Sequence, residues 1–454
     1  MAFEENGGAT TFKKRKKANE LSCPYLDTIQ RSLLDFDFEP ACSVSLEAGP
    51  HVYGCLVCGK FFRGRGKQTP AYTHSVDEGH FVFVHLSQGT FHCLPDDYEI
   101  NDPSLADISA ALHPSFSELE ISRLDSNTGL ARDLFGRRYL PGFVGLNNLF
   151  KTDCVNATIQ ALAHVRPLRD FFLRRSHKDI FLPSKSKQKP PHRMSHLAQC
   201  FGELVRKMWS DKRFKSHVDP HMLIQAISVV SKKKFSVGVQ AEAGEFMAWL
   251  LNQLHVGLGG TKKPMSSIIY ETFQGKVEVT TRQRKANGNK NEDGHLSPPN
   301  HGDERNEANG EGEMSESTIE EVTVSTQFLQ LTLDIPEKPL FRDDDGGLVI
   351  PQEPLVAVLK KFDGITFSDA LSRSGAAQRK RYRLLQLPPY LILHLARFKT
   401  NHYSREKNPT IVAFPVKNLD LSGYVFPEKG RETPPTEAEV RTMDVSKFCL
   451  KKCN

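Results

Sequence analysis

Two cysteines and two histidines near the amino terminus have the spacing of a metal site. Cys55 and Cys58 are separated by two residues, and fifteen residues later come His74 and His80, separated by five. Two thiolates in one tight turn and two imidazole nitrogens make the closed tetrahedral set of a structural zinc site. Because protein fills all four positions, the sequence predicts a zinc ion that stabilises the fold and does no chemistry. The alternative is that both thiols are simply buried and that the histidines bond within the core.

The remaining cysteines near this quartet show no regular metal-ligand spacing. For them, and for two histidines beside them, the sequence favours core positions over a second zinc site; the residues concerned are Cys23, Cys42, His51, His92 and Cys93. The whole chain has nine cysteines, an odd number at low density. This usage predicts an intracellular, reduced protein and argues against a disulfide framework.

A second constellation lies at Gly145–Ala157, which reads GLNNLFKTDCVNA. It resembles the cysteine box of the ubiquitin-specific proteases, GLxNLGNTCYMNS, and Gln160 and Leu162 continue the match. The resemblance places Asp153 at the catalytic cysteine and Lys151 at the asparagine that helps to stabilise the oxyanion. Aspartate is a good helix N-cap, but it forms no thioester. We therefore expect no cysteine-protease chemistry at this position.

Cys154 is the alternative nucleophile, one residue further on. One residue on a helix turns by about 100° and rises by about 1.5 Å, so its sulfur should face a different wall. A cysteine nucleophile also needs a histidine base, which in the family lies beyond a late Phe-Pro motif. Here that motif is Phe414-Pro415, no histidine follows it, and His394 matches a structural strand of the family. The leading prediction is an inactive homologue; the alternatives are a deubiquitinating protease that uses Cys154 and a ubiquitin-binding reader.

Other segments of the same domain also match this family. Gln240–Met247 resembles its QQDAxEFL helix, and Leu387–Leu391 resembles its LPPxL strand. The later half of the chain has no Cys-x2-Cys pair. We therefore expect the zinc that many members carry in their finger subdomain to be missing.

Residues 21–120 resemble the ubiquitin-hydrolase-type zinc finger, on the Cys55-x2-Cys58-Gly59 turn and the two histidines already described. In members of this finger that bind ubiquitin, an arginine follows the Cys-Gly step. Here Lys60 stands in its place. Lysine lacks the planar fork that holds a carboxylate through two hydrogen bonds, which argues against ubiquitin binding.

A finger of this kind directly before a cysteine-less protease domain resembles an inactive, splicing-associated branch of the family. The strings that carry this resemblance are Cys23–Ile29, Leu33–Glu39, Cys55–Lys60, His92–Ile100 and Lys407–Val412. The resemblance implies a nuclear protein that joins the spliceosomal tri-snRNP through protein contacts and meets small nuclear RNA at most indirectly.

The composition fits an ordinary folded protein. Of the 454 residues, 39% are hydrophobic and 25% are charged, with a net charge of +6. This mild excess is not in itself evidence for nucleic-acid binding. No apolar run approaches the ~18 residues that a membrane span needs, so we expect no membrane partner. The basic run Lys13–Lys17 is typical either of a nuclear localisation signal or of a solvated tail.

The chain divides into a disordered basic leader (1–20), a zinc finger (21–120) and a protease-like domain (139–454). A disordered insertion is predicted at 283–321, because this stretch has no aromatic residue and is rich in Asn, Gly, Glu and Pro. The expected fold class is α+β: a small zinc-binding finger followed by a papain-like ubiquitin-specific-protease fold, shortened at its carboxyl terminus.

Apolar periodicity predicts the elements that hold these residues. Apolar side chains four and seven residues after Val155 predict a helix that follows Asp153 and is closed by Pro167, and a second helix is expected over Glu242–Leu254. Strands are predicted at His80–Leu86, Val322–Ile335 and Tyr390–Leu395.

Overall fold

The structure is a computed structural model that describes residues 23–175, 194–284, 319–336, 341–342, 348–371, 377–400 and 404–426. Its contacts divide the chain into two units, residues 1–246 and 247–454. The predicted leader at 1–20 lies outside the described residues. So does the predicted insertion at 283–321, apart from its two ends.

The first unit begins with a five-stranded antiparallel sheet in the order β2-β1-β3-β4-β5. Its strands are β1 Val52–Cys55, β2 Phe61–Arg63, β3 Val82–His85, β4 Phe91–Cys93 and β5 Tyr98–Ile100. Helix α1 links β2 to β3, and two short helices follow the sheet; the bounds are α1 Pro70–Glu78, α2 Ala106–Leu112 and α3 Glu118–Arg123. The strand predicted at 80–86 is confirmed.

Both faces of this sheet are covered, which explains why its strands read as continuous apolar runs. Val82 and Val84 of β3 pack into one apolar cluster, and Phe83 between them packs into another. Successive side chains of a strand point to opposite faces, so two clusters need two covered faces. Cys23 and Cys93 are buried in the first cluster, and Cys42 and His92 are buried as well, in agreement with the predicted core positions. The same prediction was wrong for His51, which is exposed.

The rest of the first unit is mainly helical. Its elements are β6 Ala131–Arg132, β7 Arg138–Tyr139, β8 Gly145–Leu146, α4 Asp153–Ala163, α5 Arg166–Leu173, α6 His196–Trp209, β9 His217–Val218, α7 His221–Val230 and α8 Ala243–Gly257, the last of which crosses into the second unit. The predicted helices after Asp153 and from residue 242 are confirmed as α4 and α8. The role given to Pro167 was wrong: α4 has already ended, and the proline lies in the first turn of α5, where its missing N–H has no intrahelical acceptor to lose.

The second unit is mainly β-structure. Its helices are α9 Ile268–Phe273 and α10 Leu355–Leu359, and its strands are β10 Gly275–Arg284, β11 Ile319–Phe328, β12 Leu331–Asp334, β13 Phe341–Arg342, β14 Leu348–Val349, β15 Gln352–Pro354, β16 Asp363–Leu371, β17 Ala377–Gln386, β18 Leu393–Ala396, β19 Phe398–Thr400, β20 Arg405–Lys407 and β21 Ile411–Ala413. Short 3₁₀ turns lie at Leu26–Thr28, Arg31–Leu33, Pro103–Leu105, Leu124–Ser126, Lys360–Phe362 and Ser422–Tyr424.

Four long strands of the second unit form an antiparallel sheet in the order β11-β10-β17-β16, and β12 pairs with β18 in parallel. The strand predicted at 322–335 is observed as β11 and β12, and the one at 390–395 as β18. The ends of the predicted insertion were wrong, because Gln283 pairs with Glu320 and Arg284 with Ile319 in the ladder of β10 and β11. No helix in the described part of the chain is long and apolar enough to cross a membrane.

Candidate functional site

The four predicted metal ligands are brought together where β1 ends and β3 begins, two neighbouring strands of the amino-terminal sheet. Cys55 is the last residue of β1, Cys58 lies in the turn that follows, His74 is on α1 and His80 precedes β3. Their sulfur and nitrogen atoms all lie within 4.8 Å of one another. Gly59 closes the turn at a φ of 76°, a conformation that favours glycine, and its N–H donates to the Cys55 carbonyl.

The spacing within the quartet is close to that of a tetrahedral zinc site, with the two ring nitrogens about 0.2 Å nearer to each other than the ideal. Sulfur and nitrogen are 3.6 Å apart for Cys55 and His80 and 3.4 Å apart for Cys58 and His74, and the two ring nitrogens are 3.1 Å apart. Bonds of about 2.0–2.3 Å to a shared zinc place neighbouring ligand atoms roughly 3.3–3.8 Å apart. The Phe62 ring stacks on His74 at 4.1 Å and fixes its plane.

The two thiols of the quartet share a proton unequally. The Cys55 thiol hydrogen-bonds to Cys58, which raises the pKa of Cys55 and lowers the pKa of Cys58 to about 4. Burial acts to raise the pKa of Cys58, whereas the backbone N–H of Lys60 and the two histidines act to lower it. A thiolate at Cys58 is the form that a metal ion binds.

The segment that resembles a cysteine box is a tightly bonded loop ahead of α4. The Asn148 side-chain oxygen accepts from the Thr152 N–H and hydroxyl, both at 3.0 Å, and the Thr152 hydroxyl oxygen accepts from the Leu149 N–H. The Asn156 and Gln160 amides donate to loop carbonyls, at 3.0 and 2.7 Å. The matched polar residues therefore shape this loop.

Asp153 is the first residue of α4 and is exposed to solvent. The predicted N-cap role was wrong, because Thr152 occupies the N-cap. The carboxylate instead lies in the first turn, where the helix dipole favours negative charge, and Gln240 donates to it at 3.5 Å. Lys151 is exposed beside it at a φ of 56°, and its ammonium is 5.4 Å from the centroid of the Phe150 ring.

Cys154 has the properties of a core thiol. It is buried, and burial followed by the charge of Asp153 raises its pKa. Within the described residues no histidine hydrogen-bonds to its sulfur. The arrangement lacks the low-pKa thiolate and the adjacent base that a cysteine nucleophile needs.

Two family models match this chain. "Zn-finger in ubiquitin-hydrolases and other protein" matches residues 42–105, and "Ubiquitin carboxyl-terminal hydrolase" matches residues 144–438, which is more than half of the chain. The chain belongs to the ubiquitin carboxyl-terminal hydrolase family. Its fold is the predicted α+β arrangement of a zinc-finger segment followed by a ubiquitin-specific-protease-like segment.

Relatives within the ubiquitin carboxyl-terminal hydrolase family include proteins named for splicing. "Ubiquitin carboxyl-terminal hydrolase 39" of Homo sapiens is 44% identical over 89% of this chain and 68% of that protein. "Probable mRNA-splicing protein ubp10" of Schizosaccharomyces pombe is 39% identical over 88% of this chain and 73% of that protein. A solved structure described as an essential yeast splicing factor matches with a TM-score of 0.61 at 25% identity, covering 87% of this chain and 83% of that one.

An acidic strap joins the zinc-finger part to the helical part of this hydrolase-family chain. We give the name to Asp35–Glu39, which precedes the sheet. Asp35 pairs with Lys215, and Asp37 accepts from the Lys207 ammonium at 2.9 Å and from the Asp219 N–H at 3.0 Å. Glu39, the last residue of the strap, accepts a hydrogen bond from the side-chain amide of Gln225 on α7.

The strap reaches the cysteine-box loop through Asp219. While its N–H bonds to Asp37, the Asp219 carboxylate accepts from the Asn147 amide at 2.5 Å, and the Asn147 N–H donates to Val218. The sequence carried one signal for this contact, three acidic residues alternating with phenylalanine at 35–39. Its basic partners lie about 170 residues further on, at Lys207 and Lys215, and short-range patterns do not identify them.

Proposed function

We propose that this chain is a catalytically inactive member of its family that serves as a protein-binding scaffold in the nucleus, in the spliceosomal tri-snRNP. Two observations together carry the proposal. A relative named for mRNA splicing and a solved structure described as a splicing factor match nearly the whole chain, and an aspartate stands where the family has its nucleophile. The role in pre-mRNA splicing then rests on protein contacts, with small nuclear RNA bound at most indirectly.

Loss of catalysis is supported by the chemistry at the start of α4. The Asp153 carboxylate has no sulfur and cannot form the thioester intermediate through which a cysteine protease cleaves an isopeptide bond. Lys151 replaces the asparagine whose side-chain amide would donate a hydrogen bond to the oxyanion. The adjacent thiol of Cys154 has a raised pKa, because it is buried and lies beside the charge of Asp153. The loop around it keeps its hydrogen bonds, so the fold has been retained without the nucleophile.

We also propose that Cys55, Cys58, His74 and His80 hold one structural zinc ion. The donor set of two sulfurs and two nitrogens suits zinc, and the distances among the ligand atoms fit a tetrahedron. When bound, the ion supplies folding free energy, because it joins β1, α1 and the start of β3. With four protein ligands it has no open position for a reacting water.

The first test is a pull-down of the tagged full chain from nuclear extract, with bound proteins and small RNAs identified. We expect tri-snRNP proteins and small nuclear RNAs. Recovery of ubiquitin conjugates without spliceosomal components would instead favour a ubiquitin reader.

Inactivity is tested separately with ubiquitin that carries a carboxyl-terminal electrophile. We expect no covalent adduct with the native chain or with Cys154→Ser. A matched control is Cys200→Ser, which changes another buried thiol. An adduct that disappears only in Cys154→Ser would establish a working cysteine protease.

A further inference from the structure

An exposed patch of apolar and basic side chains lies beside the cysteine-box loop. It is built by the loop before α4 and by the last turn of α7 with the loop that follows it, and we call it the valine–lysine patch. Its members are Phe150, Lys151, Val229, Val230, Lys232, Lys233, Val237 and Val239. Phe150 is 65% exposed, Val229 74% and Val237 51%. Apolar side chains clustered at such exposure mark interaction surfaces more often than isolated ones do.

The two loops are held against each other. The N–H of Gly238 donates to the Phe150 carbonyl at 3.0 Å. A Cβ on Gly238 would lie 3.5 Å from the Phe150 ring, so the aromatic ring covers the glycine. The two loops therefore adjoin at Phe150 and Gly238, which lie 88 positions apart in the sequence.

Several members of the patch have a left-handed backbone conformation, which residues other than glycine rarely adopt. Four non-glycine members have positive φ: 78° at Phe150, 56° at Lys151, 52° at Lys232 and 65° at Lys233. Such positions persist where the surrounding structure fixes them, and they concentrate at binding sites.

Contacts beneath the second loop do fix it. The Lys233 N–H donates to the Ser228 carbonyl at 2.7 Å, and the Ser231 hydroxyl oxygen accepts from the Phe235 N–H at 3.1 Å. Phe235 is buried against Phe246, with the ring centroids 5.2 Å apart. The loop is thus a rigid platform with an anchored centre and an exposed apolar and basic rim.

The charge of the patch is one-sided. Residues 228–239 contain three lysines and no acidic residue. Lys234 pairs with Glu245 at 2.5 Å, whereas Lys151, Lys232 and Lys233 have no ion-pair partner among the described residues. The acidic residues that follow the two loops are Asp153 and Glu242, and Asp153 already accepts from Gln240.

We propose that the valine–lysine patch docks an acidic peptide segment of a partner protein, one that carries apolar side chains among its carboxylates. Three unpaired lysines provide charge complementarity, and the valines with Phe150 provide the apolar contact. The patch has no arginine and a single aromatic ring, whereas single-stranded nucleic acid is held by several stacking rings and a basic groove. The patch can bind such a segment whichever complex the chain joins.

The test uses fluorescence anisotropy with the full chain and three labelled probes. The first is a short peptide in which glutamate alternates with leucine, the second is the same peptide with glutamine for glutamate, and the third is an oligouridine. We expect saturable binding of the first probe alone. No binding of it, or tighter binding of oligouridine, would overturn the proposal.

Variants locate the binding. We expect Lys232→Glu/Lys233→Glu to weaken the acidic peptide by about tenfold or more. Phe150→Gly should weaken it as well, and this variant relaxes the positive φ, so a loss cannot be assigned to unfolding. The matched control is Lys262→Glu/Lys263→Glu, an exposed lysine pair elsewhere. Equal weakening in the control pair would show general attraction to a basic protein and would refute the site.

Discussion

Asp37 fastens the acidic strap to the helical part of the first unit, and its replacement by alanine should destabilise that unit. The Asp37 carboxylate accepts from the Lys207 ammonium and the Asp219 N–H. The side chains of Asp37 and Lys207 retain only 15% and 13% of their exposure. Asp37→Ala therefore leaves the Asp219 N–H without its acceptor. It also leaves a largely buried ammonium that has lost its counter-charge and, among the described residues, keeps only the Phe36 carbonyl, at 2.6 Å.

The size of the effect follows from this burial. Removing one partner of a buried ion pair costs about 3–5 kcal/mol, because the other charge stays behind. Since both side chains retain some contact with water, we expect a loss of about 3 kcal/mol in the free energy of unfolding at neutral pH. For a unit of this size, that loss lowers the Tm by roughly 6–12 °C.

The loss should also depend on pH. Burial acts to raise the pKa of Asp37, but the charge of Lys207, the Asp219 N–H and the charge of Arg213 outweigh it and lower the pKa below its usual value. A carboxylate with a lowered folded-state pKa stabilises fully above its unfolded pKa of about 4 and loses the effect as the pH falls through the folded-state value. The difference between Asp37→Ala and the native chain should be constant near neutrality and shrink in acid.

Urea unfolding and calorimetry of the full chain at several pH values measure both effects. Asp27→Ala is the matched control, because Asp27 is exposed and makes no ion pair within the described ranges. A loss no larger than in the control, or one that stays unchanged down to pH values below the folded-state pKa, would refute the reasoning.

Three further predictions concern the zinc-finger turn and the cysteine-box loop. Cys58→Ala should remove the bound zinc and unfold the finger, as measured by metal analysis and circular dichroism; Cys42→Ala should keep the metal, and equal zinc content in both variants would contradict the quartet. Gly59→Ala should lower the free energy of unfolding by more than the ~1 kcal/mol of a typical substitution, because a Cβ there would lie 2.3 Å from the Leu33 carbonyl oxygen at a φ of 76°; an unchanged urea midpoint would be the contrary result. Cys154 should react with iodoacetamide more slowly than a free thiol at mildly alkaline pH, because burial and the charge of Asp153 raise its pKa. Mass spectrometry measures the labelling rate, and a rate equal to that of free cysteine would contradict the prediction.

Local patterns in the sequence predicted most of the main elements and singled out the four cysteine and histidine side chains that the fold brings together. The Cys-x2-Cys turn and the helical spacing after Asp153 are short-range signals, and each is observed where the spacing put it. Pro167 was misread because a proline can follow the end of one helix or lie in the first turn of the next, and only two residues, His164 and Val165, separate α4 from α5. Asp153 was assigned to the N-cap for a different reason: threonine and aspartate are both common N-cap residues, and here Thr152 precedes the first helical residue.

The contacts that sequence reasoning could not predict join distant segments. The strap pairs Asp37 with Lys207, and the valine–lysine patch pairs Phe150 with Gly238. Neither pair lies in one helix or one hairpin, so no periodicity connects its members. The positive φ at Phe150 is likewise a property of the folded loop, since a phenylalanine by itself indicates no left-handed backbone.

The strap also sets an order of events during synthesis. The four residues of the metal quartet lie within 26 positions of one another, from Cys55 to His80, whereas Asp37 and Lys207 are 170 apart. At about 5–20 residues per second, the ribosome needs roughly 10–35 s to add that stretch. During this interval the finger can emerge and bind metal while the carboxylates of the strap still face water. The nascent chain can therefore carry a folded zinc-finger segment while the acidic, phenylalanine-containing strap is still without a partner. The strap gains its partner only when α6, which contains Lys207, has been synthesised.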